Sequence, residues 1–158
     1  MSPQIGEMAP AFSGVSDDGR DVTPETLRGR WTVLFFYLRA GSSHCELEAR
    51  RFQRALPDFE RLGAQVIGVS TDPEGEQAYF RSSCVLSFPL VSDDGQISEA
   101  FGVLAESPFE GEGQLRRAAR HTFLIAPDGR VAQHWQAMDP ATHADEVVRD
   151  LSARVAAA

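Results

Sequence analysis

The stretch Trp31-Thr-Val-Leu-Phe-Phe-Tyr-Leu38 passes through Arg39-Ala-Gly-Ser-Ser-His44 into Cys45-Glu-Leu-Glu-Ala-Arg50. The first segment is an almost unbroken apolar run, the pattern of a strand covered on both faces. From Cys45 to Leu62 the apolar residues Leu47, Phe52, Ala55, Leu56, Phe59 and Leu62 recur at helical spacing. Glu46 and Arg50 add an i,i+4 pair on the wet face. Pro57 falls inside the pattern and predicts a kink, and Gly63 closes the helix. Cys45 therefore lands in the first turn of a helix, facing free backbone N–H groups and the positive end of the helix dipole. Both favour thiolate over thiol, and thiolate is the reactive form. The carboxyl end of a buried strand is also where open α/β sheets place their sites. A cysteine packed as a small hydrophobe is the bland alternative; the strand, the Gly-Ser-Ser turn and the helix around Cys45 favour the reactive one.

Outward from this unit, strands and helices alternate. Ala11–Val15 and Asp21–Val22 read as a short hairpin at the N-terminal side. Gln65–Ser70 is a second buried strand, and Thr71-Asp72-Pro73 is a helix-start signal for Glu74–Cys84. Phe88–Val91 reads as a short strand and Ile97–Phe101 as a short helix ending at Gly102. Thr122–Ile125 and Arg130–Trp135 form an antiparallel hairpin around Pro-Asp-Gly, and Thr142–Ala157 is a terminal amphipathic helix. Glu106–Arg117, with two glycines and several charges, reads as a mobile surface loop. Three Asp-Gly turns, ending at Gly19, Gly95 and Gly129, suit hairpin-type connections because glycine takes positive φ freely. Their paired aspartates lack the further acidic ligands of a calcium loop. The order predicts an α/β, thioredoxin-like fold: one domain over residues 1–158, a central mixed sheet flanked by helices, and an N-terminal β-hairpin extension.

The 158 residues suit one domain with a sizeable core. A net charge of −8 argues against binding a phosphate backbone, so no nucleic-acid partner is expected. All 15 basic residues are arginine, which excludes Schiff-base and lysine-base chemistry and leaves Arg or His for any cation the site needs. Two cysteines, Cys45 and Cys84, are neither a disulfide scaffold nor a C-x-x-C pair, and no zinc-ligand cluster surrounds them. No basic and apolar leader opens the chain, and no window approaches the roughly 18 apolar residues of a membrane span. A soluble, cytoplasmic protein is expected, where a lone reactive thiol is more often catalytic than structural.

Phe36-Tyr37-x4-Ser42-x2-Cys45-x2-Glu48 resembles the peroxidatic loop of peroxiredoxins. The similarity continues through Leu56-Pro57-x-Phe59-x2-Leu62-Gly63, Val66-Ile67-Gly68-Val69-Ser70-x-Asp72, Phe88-Pro89-Leu90-x-Ser92-Asp93, Phe101-Gly102-Val103 and Arg120-x-Thr122-Phe123-Leu124-Ile125-x-Pro127-Asp128-Gly129. These blocks lie in order over most of the chain and are most similar to the Q-type, or bacterioferritin-comigratory, subfamily. The resemblance implies two-electron reduction of hydroperoxides by a cysteine thiolate, without metal, haem or flavin, in a monomer recycled by a thioredoxin-type thiol reductant. It implies Cys45 as the peroxidatic thiol, Ser42 as the hydroxyl beside it, Arg120 as its cation, and Glu48 as the group that orients an arginine. The chemistry suits these types: a cation and N–H groups stabilise the thiolate and the departing oxygen, and a hydroxyl aligns the peroxide. Each has a plainer role open to it: a helix N-cap for Ser42, a surface charge for Arg120 and Glu48. His44 is expected to face solvent, and His121, His134 and His143 show no ligand spacing.

Two departures stand out. Leu38 and Ser42 occupy positions where the family usually has Pro and Thr, which predicts a looser cap over the thiol and a freer hydroxyl rotamer. Five residues after Cys45, where one branch carries its resolving cysteine, stands Arg50. The resemblance leaves Cys84 as the resolving candidate, about one turn beyond the position another branch uses. An intramolecular Cys45–Cys84 disulfide then needs the first turn of the Cys45 helix to unwind. The alternatives are a one-cysteine peroxidase recycled by an external thiol, with Cys84 a packing residue, and a redox sensor with little turnover.

Overall fold

Alternating side chains of Trp31–Phe36, strand β3, explain why this segment must be covered twice. Val33 and Phe35, with Tyr37 beyond the strand, join one apolar cluster, while Leu34 and Phe36 join a second on the opposite face. A computed structural model describes residues 1–157. Before β3 come β1 (Gly14–Val15), β2 (Asp21–Val22) and a short helix α1 (Pro24–Leu27). The chain then runs through α2 (Ser43–Arg61), β4 (Ala64–Ser70), α3 (Glu74–Cys84), β5 (Leu90–Ser92) and α4 (Gln96–Ala100). It ends with β6 (Leu104–Glu106), β7 (Arg116–Ala118), β8 (His121–Ile125), β9 (Val131–Gln136) and α5 (His143–Ala157).

The central sheet has the order β5-β4-β3-β8-β9, with β3, β4 and β5 parallel and β8 and β9 antiparallel additions. This is the mixed sheet of the thioredoxin-like arrangement expected from the sequence, with β1 and β2 as the N-terminal hairpin. The cluster on one face joins β3 to α2, α3 and α5, and the other joins it to Ile97 of α4, Phe101 and Val103. Gly68 shows how closely the strands are filled: a Cβ there would sit 2.9 Å from Leu90 Cδ2 and 3.0 Å from Phe35 Cζ.

Helix α2 runs through Pro57 to Arg61 without a break. Several expected boundaries need correction. Only Gly14–Val15 of the expected Ala11–Val15 pairs as strand. Strand β5 begins at Leu90, two residues late, because Pro89 has no N–H to give the ladder and contributes only its carbonyl to Gly68. The Asp93-Asp94-Gly95 turn leads from β5 into α4, the expected strand-then-helix order, and closes no hairpin: the Asp93 carboxylate accepts from the N–H groups of Ile97 and Ser98 at 3.0 and 2.8 Å. The largest correction concerns Glu106–Arg117. Instead of a loop throughout, its ends belong to a β6–β7 hairpin, registered Leu104 to Ala118 and Glu106 to Arg116. Arg117 is buried and ion-paired with Asp72 at 3.0 Å, which pins the hairpin to the end of β4.

Candidate active site

Register brings the site residues to one end of the sheet. Phe36, the last residue of β3, lies opposite Val69 of β4 and His121 of β8. The chain leaving β3 therefore enters the 37–42 turn beside Arg120, which precedes the antiparallel β8, and beside Asp72, which follows β4. Cys45 is the third residue of α2 and is 1% exposed. Its sulfur accepts a hydrogen bond from the Leu38 backbone N–H at 3.2 Å. Ser42 occupies the N-cap position with extended backbone, and its carbonyl receives the Glu46 N–H at 2.8 Å. Its hydroxyl makes no capping bond and, though buried, has no hydrogen-bond partner among the described residues. His44 is exposed, as its position around the helix predicts.

Glu48 lies one turn along the same face from Cys45 and is 3% exposed. Arg120 Nη1 stands 3.4 Å from Glu48 Oε2 and donates to the Met138 carbonyl at 3.1 Å. Burial pushes the Glu48 carboxyl up to about 7, outweighing the opposing pull of the Arg120 charge and hydrogen bond. His143, on α5, bonds Thr122 Oγ1 through Nε2 at 2.8 Å and is driven down to about 4 by burial and then by Arg120. His121 and His134 share a 2.8 Å hydrogen bond, and burial pulls His121 down to about 4. These rings are neutral packing groups near neutral pH.

Cys84 ends α3 and is 4% exposed, in the same apolar cluster as Cys45, with Tyr37, Phe80 and Phe88. Burial raises its thiol, while the Arg50 charge pulls it back in part. Arg50 itself reaches across from α2 to donate to the Ser83 carbonyl at 3.1 Å. Gln53 donates its side-chain NH2 to Ser87 Oγ and accepts the Ser87 N–H on Oε1, at 2.8 Å each. One face of α2 is thus laced to the segment around Cys84, and both thiols are free.

Sequence reasoning passed over the brace that holds the turn. Asp72, fully buried, accepts from the Ala40 N–H at 2.7 Å, from Ser70 Oγ at 2.8 Å and from Arg117 Nη1 at 3.0 Å. Arg117 in turn grips Glu112 with two bonds of 2.7 and 3.0 Å. Arg39 stacks 3.7 Å over the Phe109 ring and lies 3.5 Å from Glu112. Arg117 and Ser107 hold the Glu112 carboxyl down to about 2. In the sequence Asp72 stands only in a helix-start signal and at the end of one block of the family resemblance, neither of which gives it a partner, and nothing local marks Glu112 or Arg117. Among the described residues there is no group of three potential metal ligands, and no helix is long and apolar enough to cross a membrane.

Comparison with known proteins gives one consistent answer. Residues 5–134 match the model of the AhpC/TSA family. The chain is 38% identical over 135 residues to peroxiredoxin Bcp of Xanthomonas campestris, covering 83% of this chain and 84% of that one. It is 31% identical over 150 residues to peroxiredoxin Bcp of Escherichia coli, covering 94% and 96%. Among solved structures, a cysteine-to-serine mutant of Xylella fastidiosa PrxQ superposes with a TM-score of 0.87 at 30% identity, covering 98% of both chains. The Xanthomonas campestris bacterioferritin comigratory protein, described by its alkyl peroxide reduction activity, gives 0.83 at 31% identity, covering 97% and 98%.

Proposed function

Since the chain belongs to the AhpC/TSA family and is a peroxiredoxin, a thiol peroxidase, we propose that Cys45 is its peroxidatic thiol and Cys84 its resolving one. The observation that carries the first assignment is the buried Cys45 sulfur in the first turn of α2, one turn from the Glu48–Arg120 pair. The thiolate attacks the nearer oxygen of a hydroperoxide in line with the O–O bond. An S–O bond forms, the O–O bond breaks, and the departing hydroxide or alkoxide takes up a proton to leave as water or alcohol. Arg120 supplies the positive charge for the departing oxygen, and Glu48 orients that guanidinium. Ser42, whose buried hydroxyl has no protein partner among the described residues, is free to bond the sulfur and the peroxide.

The product is a Cys45 sulfenic acid. Cys84 condenses with it, expelling water and forming an intramolecular disulfide, and a dithiol reductant of the thioredoxin type reopens the bond by exchange. Support for Cys84 is its place in the Cys45 cluster and the lacing of its segment to α2 through Arg50 and Gln53. Intact mass after one equivalent of peroxide tests the cycle. Loss of two hydrogens in the wild type and gain of one oxygen in Cys84→Ser are expected. Gain of oxygen in both refutes resolution by Cys84, and no reaction in either refutes the peroxidase reading of Cys45.

A further inference from the structure

Leu38 is the residue that departs from the usual proline of the resembled loop, and its peptide group faces the reacting atom. Three other amides around the turn are engaged elsewhere. The Tyr37 N–H donates to the Val69 carbonyl at 3.0 Å, the Ala40 N–H to Asp72 at 2.7 Å and the Ser42 N–H to the Arg39 carbonyl at 3.2 Å. Among the described residues, the Leu38 N–H is the one donor to the sulfur, 3.2 Å from Cys45 Sγ. The next peptide unit is tethered too, since the Leu38 carbonyl lies 3.5 Å from Nη1 of the buried Arg117. A proline at this position has no N–H to offer. The sulfur is all but sealed from water, where a hydrogen bond to a charged acceptor counts for more than in solvent.

We propose that the Leu38 backbone N–H is a catalytic donor in this chain, aimed at the Cys45 sulfur and bonded most strongly to its anionic form. The inference rests on the assignment of Cys45 as the attacking thiol, and it gives the Leu38 departure a gain in exchange for a looser cap. The donor comes from the strand side of the sulfur, whereas the free N–H groups of α2 come from the helix side. The thiolate is therefore held between two rigid elements. Any unwinding that carries Cys45 towards Cys84 must break this bond, so the same N–H favours the folded, peroxide-reactive arrangement over the resolving one.

Two measurements test the donor. In reduced wild-type protein labelled with 15N-leucine, titrated from acid to alkaline pH, the Leu38 amide proton is expected to move downfield more than any other leucine amide. It should do so with the midpoint shown by thiolate absorbance. Leu38→Pro removes the N–H, and it favours extended backbone at Tyr37, whose own N–H already continues the hydrogen bonding to β4. Against Leu38→Ala, which keeps the N–H, Leu38→Pro should alkylate at Cys45 and react with peroxide about tenfold more slowly at pH 7. A Leu38 amide indifferent to the thiolate overturns the inference, as does a folded Leu38→Pro that matches Leu38→Ala. Should Leu38→Pro not fold, the wild-type titration decides alone. An amide that follows the thiolate in a protein that consumes no peroxide overturns the peroxidase reading and leaves the donor standing.

Discussion

Glu48 and Arg120 meet 3.4 Å apart in a place where the carboxylate is almost completely sealed from water. The pair is thus not held by charge alone: burial keeps the Glu48 carboxyl near 7 despite the guanidinium beside it. A group whose folded value lies above its unfolded one contributes stability at low pH that is lost as pH rises. For Glu48 that window runs from about 4.5 to about 7. In Glu48→Gln the window disappears. Its melting temperature relative to wild type should climb between pH 5 and pH 8, by an amount corresponding to at most about 3 kcal/mol. The opposite acid-side losses from His121 and His143 cancel in this comparison. A difference that stays flat across that range would sink the assignment. Peroxide reduction should meanwhile fall roughly tenfold, because Arg120 loses the group that orients it.

Ser42→Ala should move stability and activity in opposite directions. A buried hydroxyl without a partner is unfavourable to folding by about 1–3 kcal/mol, so its removal should raise the urea midpoint. If the hydroxyl serves the peroxide, the second-order rate should drop about a hundredfold in stopped-flow mixing. Lower stability with an unchanged rate would mark Ser42 as a helix cap after all.

Arg117→Met should destabilise by about 3 kcal/mol, because it strands the Asp72 carboxylate in the interior. Replacing both partners, as Asp72→Asn with Arg117→Met, should restore much of that loss. Urea unfolding of the two single variants and the double variant measures the coupling. A loss below about 1 kcal/mol in Arg117→Met would show that the buried pair does not brace the turn.

Val85 adopts φ 53 and ψ 55, a left-handed conformation that a β-branched residue strongly resists, and its side chain is 77% exposed. Little packing is lost when that side chain is removed. Val85→Gly should therefore stabilise the protein by about 1 kcal/mol through relief at the end of α3. An unchanged or lower urea midpoint contradicts this.

Legibility in the sequence followed the range of the interactions. The alternation Val33, Leu34, Phe35, Phe36 announces a strand covered twice because neighbouring side chains point to opposite faces. The place of Cys45 in a first helical turn is equally local, and the span Glu74–Cys84 was readable from its start signal to its last residue. Strands β6 and β7, with three residues each, are too short to show a period. Their hairpin is held by Arg117 reaching Asp72, 45 residues away in the chain.

Residue order and composition alone carry the layered α/β architecture, the thiol in a first helical turn and the absence of lysine chemistry. These follow from local periodicity, backbone geometry at a helix start, and composition. Which groups meet the sulfur and the turn around it depends on the packed fold. The Leu38 N–H has no signature in residue type, since every residue but proline carries one, and its partner is chosen by how the turn is braced. The Asp72–Arg117–Glu112 chain that braces it joins the end of β4 to a hairpin distant in sequence. Buried charges must find partners wherever the fold brings them, so that pairing is a property of the packed chain.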